Sequence, residues 1–207
     1  MKRRVLHAAL ALGLAGGSAA AAPLELWLEP VQASALVLGP LYTKTAGVDG
    51  RSTAHLGLGA AVGWKSWQGA VTFGRAARHT DFGLLEGPRV RLERADVQTE
   101  VRWRAPLELQ GFGFQAAAGL GRLLLRYHPD RVVFSAGGET FEVALGETAA
   151  WTRQVAAEVL HDLPGNAWIA LRTSWIFYAM DVATPSGTER RDVRDVQAGV
   201  ALRVRLR

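Results

Sequence analysis

Polar and apolar side chains alternate with a period of two along much of this chain, and this alternation restricts its fold more than any other feature. In the segment 94–105, one face consists of Arg94, Asp96, Gln98, Glu100, Arg102 and Arg104. The other face consists of Ala95, Val97, Thr99, Val101, Trp103 and Ala105. A helix would mix the two sets, because its faces repeat every 3.6 residues. The segment is therefore predicted to be a β-strand with one polar and one apolar face.

The same period recurs in six further segments. They cover residues 55–64, 68–73, 114–121, 154–159, 169–177 and 195–206. An eighth strand is placed by necessity within Leu26–Tyr42, where the parity is mixed. We predict an all-β fold, a closed antiparallel up-and-down transmembrane barrel of about eight strands.

The predicted connections alternate between short and long. The short ones are Lys65–Ser66, Pro106–Gln110 and Leu163–Asn166. The long polar ones are 43–53, 80–91, 128–150 and 181–192. Bacterial outer-membrane barrels have short periplasmic turns and long extracellular loops, so the pattern predicts an outer-membrane location with both chain ends in the periplasm.

Aromatic residues lie beside the predicted ends of the strands. Such rings collect at the two membrane interfaces, and we expect them to form girdles there. The residues predicted for the girdles are Trp64, Trp67, Trp103, Phe112, Trp151, Trp175 and Phe177. Trp168 also follows a short turn, but it has the parity of the polar face, which indicates a local bulge.

Residues 1–22 have the parts of a secretory signal peptide: a basic start, an apolar run from Val5 to Ala15, and small residues that end at Ala22. Cleavage is expected between Ala20 and Pro23. The predicted organisation is a signal peptide at 1–22 and one barrel domain at 23–207.

Charge and cysteine content exclude several classes of function. Without residues 1–22, 21 basic side chains face 19 acidic ones, and the arginines are dispersed, so no nucleic-acid partner is expected. The absence of cysteine excludes disulfides, thiolate metal sites and a lipidated N-terminal cysteine. No apolar run of 18 residues follows the signal peptide, which excludes a helical inner-membrane protein.

The polar faces of the strands are predicted to line the barrel lumen. Eight strands leave an interior just wide enough for side chains to fill it. The charged residues expected there are Arg94, Asp96, Glu100, Arg102, Glu158, Arg172, Asp195 and Arg203. Acids and bases occur in similar number and can pair, as buried charges must, which predicts a plugged lumen. Alternation alone is also compatible with a soluble, lipocalin-like periplasmic barrel.

With its signal peptide, alternating strands, unequal connections and charged lumen, the chain resembles the small outer-membrane barrels of the OmpA-domain and OmpX type over essentially the whole of 23–207. The resemblance implies outer-membrane lipid and the barrel assembly machinery as partners. It has one departure: family members usually end in an aromatic residue that this machinery recognises, whereas this chain ends in Arg205-Leu206-Arg207.

No catalytic, cofactor or metal site is predicted. The histidines at 55, 79, 128 and 161 have no partner at a spacing that would share a strand face, so a solvated or rim position is expected for each. Acidic residues near the last loop are interleaved with arginines, which indicates self-pairing. An active site assembled from several strands stays open.

The longest connection, 128–150, contains β-forming segments around Gly137-Gly138 and is predicted to be a hairpin. Its edge, with Phe134 and Phe141, is a candidate for binding an extracellular partner by strand addition. The function classes left open are a structural or surface-interaction barrel, a narrow channel and a lipid-modifying enzyme, of which we favour the first.

Overall fold

The computed structural model describes residues 24–37, 52–80, 90–136, 138–144, 147–184 and 187–206. Within these ranges the strands are β1 Glu25–Val37, β2 Ser52–Trp64, β3 Trp67–Thr80, β4 Val90–Leu109, β5 Phe112–His128, β6 Arg131–Ala136, β7 Glu139–Ala144, β8 Thr148–Leu163, β9 Ala167–Thr184 and β10 Gly187–Leu206. No helix in these ranges is long and apolar enough to cross a membrane. The predicted signal peptide lies outside the described residues.

Eight of the strands form a closed antiparallel barrel, as predicted. Their order around the wall is β1, β10, β9, β8, β5, β4, β3 and β2. Closure joins the two ends of the chain, because Leu26 of β1 pairs with Leu206 of β10. These ends lie on the side of the short connections, which we call the turn end; the opposite side is the loop end. β6 and β7 pair only with each other, in a separate hairpin.

The mixed parity of the first strand results from a β-bulge. The register of β1 shifts against both of its neighbours in the stretch from Leu28 to Gln32. Trp27 and Glu29 face inward before the bulge, and Gln32 faces inward after it. Proline has no backbone N–H to donate to a neighbouring strand, and a bulge accommodates Pro30 because a bulged residue does not need to make that hydrogen bond.

The second short turn was predicted at 106–110, and this is wrong. β4 continues through Pro106 to Leu109, with a register irregularity between Arg104 and Glu108. The chain reverses at Gln110 and Gly111, whose φ angles are 52° and 82°. Two consecutive residues with positive φ match the twist of a two-residue hairpin, whereas proline cannot adopt that conformation.

At the loop end, the connection predicted at 181–192 is also wrong. β9 continues to Thr184, β10 begins at Gly187, and Asp181 pairs with Arg190 between them. The polar composition that indicated a loop belongs to a two-stranded ribbon that extends the barrel wall. The predicted 128–150 hairpin is present as β6 and β7, whereas residues 43–51 and 81–89 of the two other long connections lie outside the described residues.

The barrel wall has an apolar exterior and a polar interior. Large apolar side chains are exposed on every barrel strand, as illustrated by Leu28, Leu56, Phe73, Val101, Leu120, Val155, Leu171 and Val200. Buried Glu, Arg, Gln or Asp side chains lie on β1, β4, β5, β8 and β10, while β2 and β9 bury smaller sets of polar side chains and β3 buries only glycine and alanine. A barrel in water would have the opposite distribution, so this exterior is suited to lipid.

Candidate functional site

Six charged side chains form a closed ring of ion pairs across the barrel interior. In order around the ring they are Glu29, Arg102, Glu100, Arg172, Glu158 and Arg203. The nitrogen–oxygen distances are 2.5 Å for Arg102–Glu100, 2.6 Å for Arg172–Glu100, 2.6 Å for Arg172–Glu158, 2.8 Å for Arg203–Glu158 and 2.8 Å for Arg203–Glu29. Arg102 closes the ring on Glu29. Each acid contacts two arginines and each arginine contacts two acids, so the formal charges cancel.

Five strands supply this ion-pair ring, which links distant parts of the chain. Glu100 and Arg102 are two residues apart on β4 and therefore share a face. Glu158 of β8 and Arg172 of β9 are directly opposite in the ladder. Five of the six side chains are almost fully buried, and that of Arg172 is 18% exposed. In an interior of low dielectric, charges are tolerated only with such pairing.

Glutamine side chains fill hydrogen-bonding positions around the ring. Gln154 donates to Glu100 at 2.8 Å, and Arg203 donates to the amide oxygen of Gln115 at 2.7 Å. Gln32 donates to Glu29. Charge-assisted hydrogen bonds of this kind hold the ring residues in defined positions.

Small residues on neighbouring strands make space for these long side chains. Gly119 of β5 lies directly opposite Glu100. A Cβ atom at Gly119 would lie 2.8 Å from the Cβ of Glu100 and would also collide with the carbonyl oxygen of Thr99. The lumen network therefore depends on the glycines as well as on the charges.

A second polar group, which we call the upper cluster, lies on the loop side of the ring. Arg94 donates to Asp96 at 3.1 Å and also pairs with Asp195. The Nε2 atom of His55 is 3.1 Å from Asp96, and Gln197 lies 2.9 Å from the Nδ1 atom of His55. All but Gln197 are buried, so His55 is neither solitary nor solvated, as its sequence context had suggested.

The upper cluster includes serine, histidine and aspartate, but its geometry does not match a nucleophilic triad. Ser34 Oγ is 3.5 Å from Nδ1 of His55, farther away than the amide nitrogen of Gln197. Gln197 also donates to Ser34 at 2.6 Å. The hydroxyl thus accepts from Gln197 and donates to the carbonyl oxygen of His55 at 3.4 Å. It does not face a free base, as general-base activation would require. Among the described residues, no group of His, Asp and Glu has the arrangement of a metal site.

Apolar layers lie on both sides of the charged layers. At the loop end, buried side chains form a cluster that includes Leu36, Leu92, Leu123, Leu125, Tyr127, Ile176, Met180 and Val193. At the turn end, Trp27 and Trp168 pack at 4.4 Å between ring centroids, and Arg205 lies over both rings. The bulge expected at Trp168 is absent, since β9 pairs with both neighbours without a register shift. Trp168 points inward because it packs on Trp27.

The eight residues predicted for the lumen all lie on inward-facing positions. Arg102, Glu100, Glu158, Arg172 and Arg203 belong to the ring, while Arg94, Asp96 and Asp195 belong to the upper cluster. Glu29 also belongs to the ring, although the sequence pattern did not place it in the lumen, because the bulge changes the parity of β1. The adjacent Pro30 is the sequence feature that indicates this change of parity. On its N-terminal side, Trp27 and Glu29 alternate with Leu26 and Leu28.

The residues predicted for the girdles lie on the outer wall. Trp64, Trp67 and Trp103 are exposed and form a row at the turn end, because Trp67 is directly opposite both of the others. Phe112 is exposed nearby and packs against His161. Towards the loop end lie the exposed Trp151 and Phe177, with the partly exposed Trp175 two positions below Phe177.

The residues predicted for a partner edge are directly opposite each other in the β6–β7 hairpin. Phe134 of β6 is in register with Phe141 of β7. Their side chains lie outside what the structure describes, so the partner edge stays a prediction.

Comparison with known proteins identifies the fold. No protein-family model and no curated protein matches the chain. The structure is similar to that of neisserial surface protein A, with a TM-score of 0.54, 10% identity, and coverage of 87% of this chain and 96% of that one. It is also similar to a major outer membrane protein from Thermus thermophilus, with a TM-score of 0.51, 8% identity, and coverage of 89% and 100%. The chain therefore has the fold of the small outer-membrane β-barrels.

Proposed function

We propose that this protein is an integral outer-membrane barrel whose lumen is closed to ions and solutes, and that it acts through its surface rather than as a channel. The observation that carries the proposal is the ion-pair ring. Its six side chains reach across the lumen from five strands and leave no net charge to attract an ion.

The layers above and below the ring support the same conclusion. A permeating ion would have to pass the apolar cluster at the loop end and the Trp27–Trp168 pair at the turn end. Transfer of a hydrated ion through tightly packed apolar side chains is unfavourable. A structural or surface-interaction role fits this interior better than a channel does.

The lipid-facing exterior supports the outer-membrane location. On β10, the outward positions from Val196 to Leu206 carry no charge, which spans about 33 Å along the strand. A strand tilt of roughly 40° reduces this length to about 25 Å, the height of the apolar band of outer-membrane barrels.

Planar-bilayer recording tests the closed lumen. We expect no steady conductance from the folded wild-type protein, and none from the Glu108→Ala control, which removes an exposed carboxylate at the turn end. A steady conductance that changes in Glu100→Ala but not in Glu108→Ala would contradict the proposal, because it would identify the ring as part of a pore.

A further inference from the structure

Two arginines on the outer wall flank a phenylalanine at the loop-end edge of the band of exposed apolar side chains. Arg153 of β8 and Arg194 of β10 are each directly opposite Phe177 of β9, so the three form one row across neighbouring strands. All three side chains are exposed. Among the residues that the structure describes, neither arginine has an ion-pair partner, unlike Arg126 and Arg131.

The depth of this row matches the boundary between hydrocarbon and headgroups. The next outward residues toward the turn end are Val155, Trp175 and Val196, which are directly opposite one another in the same way. Arg194 therefore immediately precedes the uncharged stretch of β10 that measures about one hydrocarbon thickness. Phosphate groups of a lipid leaflet lie at that level.

The surroundings provide space for a lipid on either side of the row. On the loop side, a hollow of about 980 Å³ is lined in part by Trp151, Arg153, Phe177 and Arg194. Two outward positions below the row, Ala157, Thr173 and Ala198 lie in the floor of an apolar groove of about 550 Å³. One row of apolar outward residues, Val155, Trp175 and Val196, lies between the cationic row and this groove, so the wall below the row is apolar, as contact with acyl chains requires.

The charge balance around the row is positive. Asp181 and Asp192 also line the hollow, but Asp181 is directly opposite Arg190 in the ribbon. Arg122 lies over the ring of Trp151 at 5.4 Å and adds a further cation. Counting Asp192 against Arg122, Arg153 and Arg194 leaves two positive charges beside an exposed aromatic surface.

We propose that the row formed by Arg153, Phe177 and Arg194 binds the phosphate group of an anionic lipid in the leaflet at the loop end. The two guanidinium groups bind the phosphate oxygens, and Phe177 and Val155 contact the upper part of the acyl chains. Guanidinium groups suit this role because they form charge-assisted, bidentate hydrogen bonds with phosphate. This inference rests on the proposed function, since it requires the band of exposed apolar side chains to lie in a bilayer.

Native mass spectrometry of the barrel folded in detergent tests the proposal with three probes. They are dioleoyl phosphatidic acid, the phosphate-free dioleoylglycerol, and inorganic phosphate. We expect the wild-type protein to retain one phosphatidic acid and to prefer it over dioleoylglycerol. The double variant Arg153→Gln/Arg194→Gln should bind it on the order of tenfold more weakly, since two charge-assisted contacts are lost.

The matched control is Arg126→Gln/Arg131→Gln, which removes two exposed, paired arginines at the same end of the molecule. Its affinity for phosphatidic acid should stay within about twofold of that of the wild-type protein. Equal binding by the two double variants would overturn the proposal, as would equal retention of dioleoylglycerol. Binding of inorganic phosphate as tightly as phosphatidic acid would replace the lipid site with a simple anion site.

Gel mobility separates failure of this inference from failure of the proposed function. A wild-type protein that inserts into vesicles and migrates as a folded barrel, but shows no difference between the variants, contradicts only the lipid site. A protein that never enters vesicles contradicts the membrane barrel, and the lipid site with it.

Discussion

At the scale of single residues, the interior combines long charged side chains with glycines that cannot be enlarged. Gly119 is the clearest case, because it lies directly opposite Glu100 of the ion-pair ring. Gly69, on the outer face of β3, offers a comparison, since a Cβ atom there would meet nothing within 4 Å. The two glycines both lie within barrel strands but differ in what lies beside them.

We expect Gly119→Ala to lower the free energy of unfolding by about 1–3 kcal/mol, because the added methyl group displaces Glu100 or bends the strand. Gly69→Ala should change it by less than about 0.5 kcal/mol. Urea titration of both variants folded in lipid vesicles would measure the difference. Equal midpoints for the two variants would mean that the interior can relax around Gly119.

Individual residues also show which features of the lumen sequence periodicity predicts and which it does not. In seven of the eight barrel strands the alternation separated a polar from an apolar face, and the membrane interpretation then placed the polar face, with Glu100, Arg102 and Glu158, in the lumen. It did not identify their partners, because a contact such as Arg102 with Glu29 depends on the register between strands that are far apart in sequence. His55 was misjudged for the same reason, since Asp96 lies 41 residues away.

At the scale of whole strands, the misplaced strand ends and the missed parity of Glu29 occur where a strand is irregular or extends beyond the barrel. The bulge in β1 hid the parity of Glu29, and the irregularity in β4 moved the second turn from Pro106 to Gln110 and Gly111. Local composition indicates that a proline or a polar run interrupts regular structure. It does not distinguish a bulge or a ribbon from a turn or a loop.

The β1 bulge accommodates Pro30, and the lumen network should survive its removal. Deleting Val31 removes the extra residue and leaves Trp27, Glu29 and Gln32 on alternate positions of a regular strand, so all three keep facing inward. We expect the Val31 deletion to cost only about 1 kcal/mol of stability, because Pro30 then lies in a regular ladder without an N–H to donate.

Glu29→Ala should cost about 3–5 kcal/mol, because Arg102 and Arg203 lose a buried partner. Deletion of Gly138, in the separate hairpin, is the matched control.

Urea midpoints of the folded proteins in vesicles would compare the two deletions and Glu29→Ala. The Gly138 deletion should resemble wild type, since the β6–β7 hairpin shares no ladder with the barrel. A Val31 deletion as destabilised as Glu29→Ala would contradict this prediction, because it would show that the bulge itself holds Glu29 in the ring.

At the scale of the whole molecule, barrel closure makes the first and last strands mutually dependent. The β1–β10 ladder runs from Leu26 and Leu206 to Val37 and Val196, so removal of either strand leaves two open edges in the wall. Unpaired backbone groups are very unfavourable in hydrocarbon, which is why only closed barrels span membranes with strands. The β6–β7 hairpin lacks such a role, because it forms its own two-stranded sheet.

Removal of β10 and removal of the β6–β7 hairpin are therefore expected to have opposite outcomes. Removing residues 187–207 should abolish insertion into vesicles and the difference in gel mobility between unheated and boiled samples, because the wall cannot close. Replacing residues 131–144 with a short Gly-Ser linker should preserve both, since β5 and β8 are already paired from Phe112 to Leu125. If removal of the hairpin also abolished the mobility difference, the hairpin would be part of the folding unit. If the chain without β10 still migrated as a folded barrel, the β1–β10 closure would be dispensable, and this protein would tolerate unpaired strand edges.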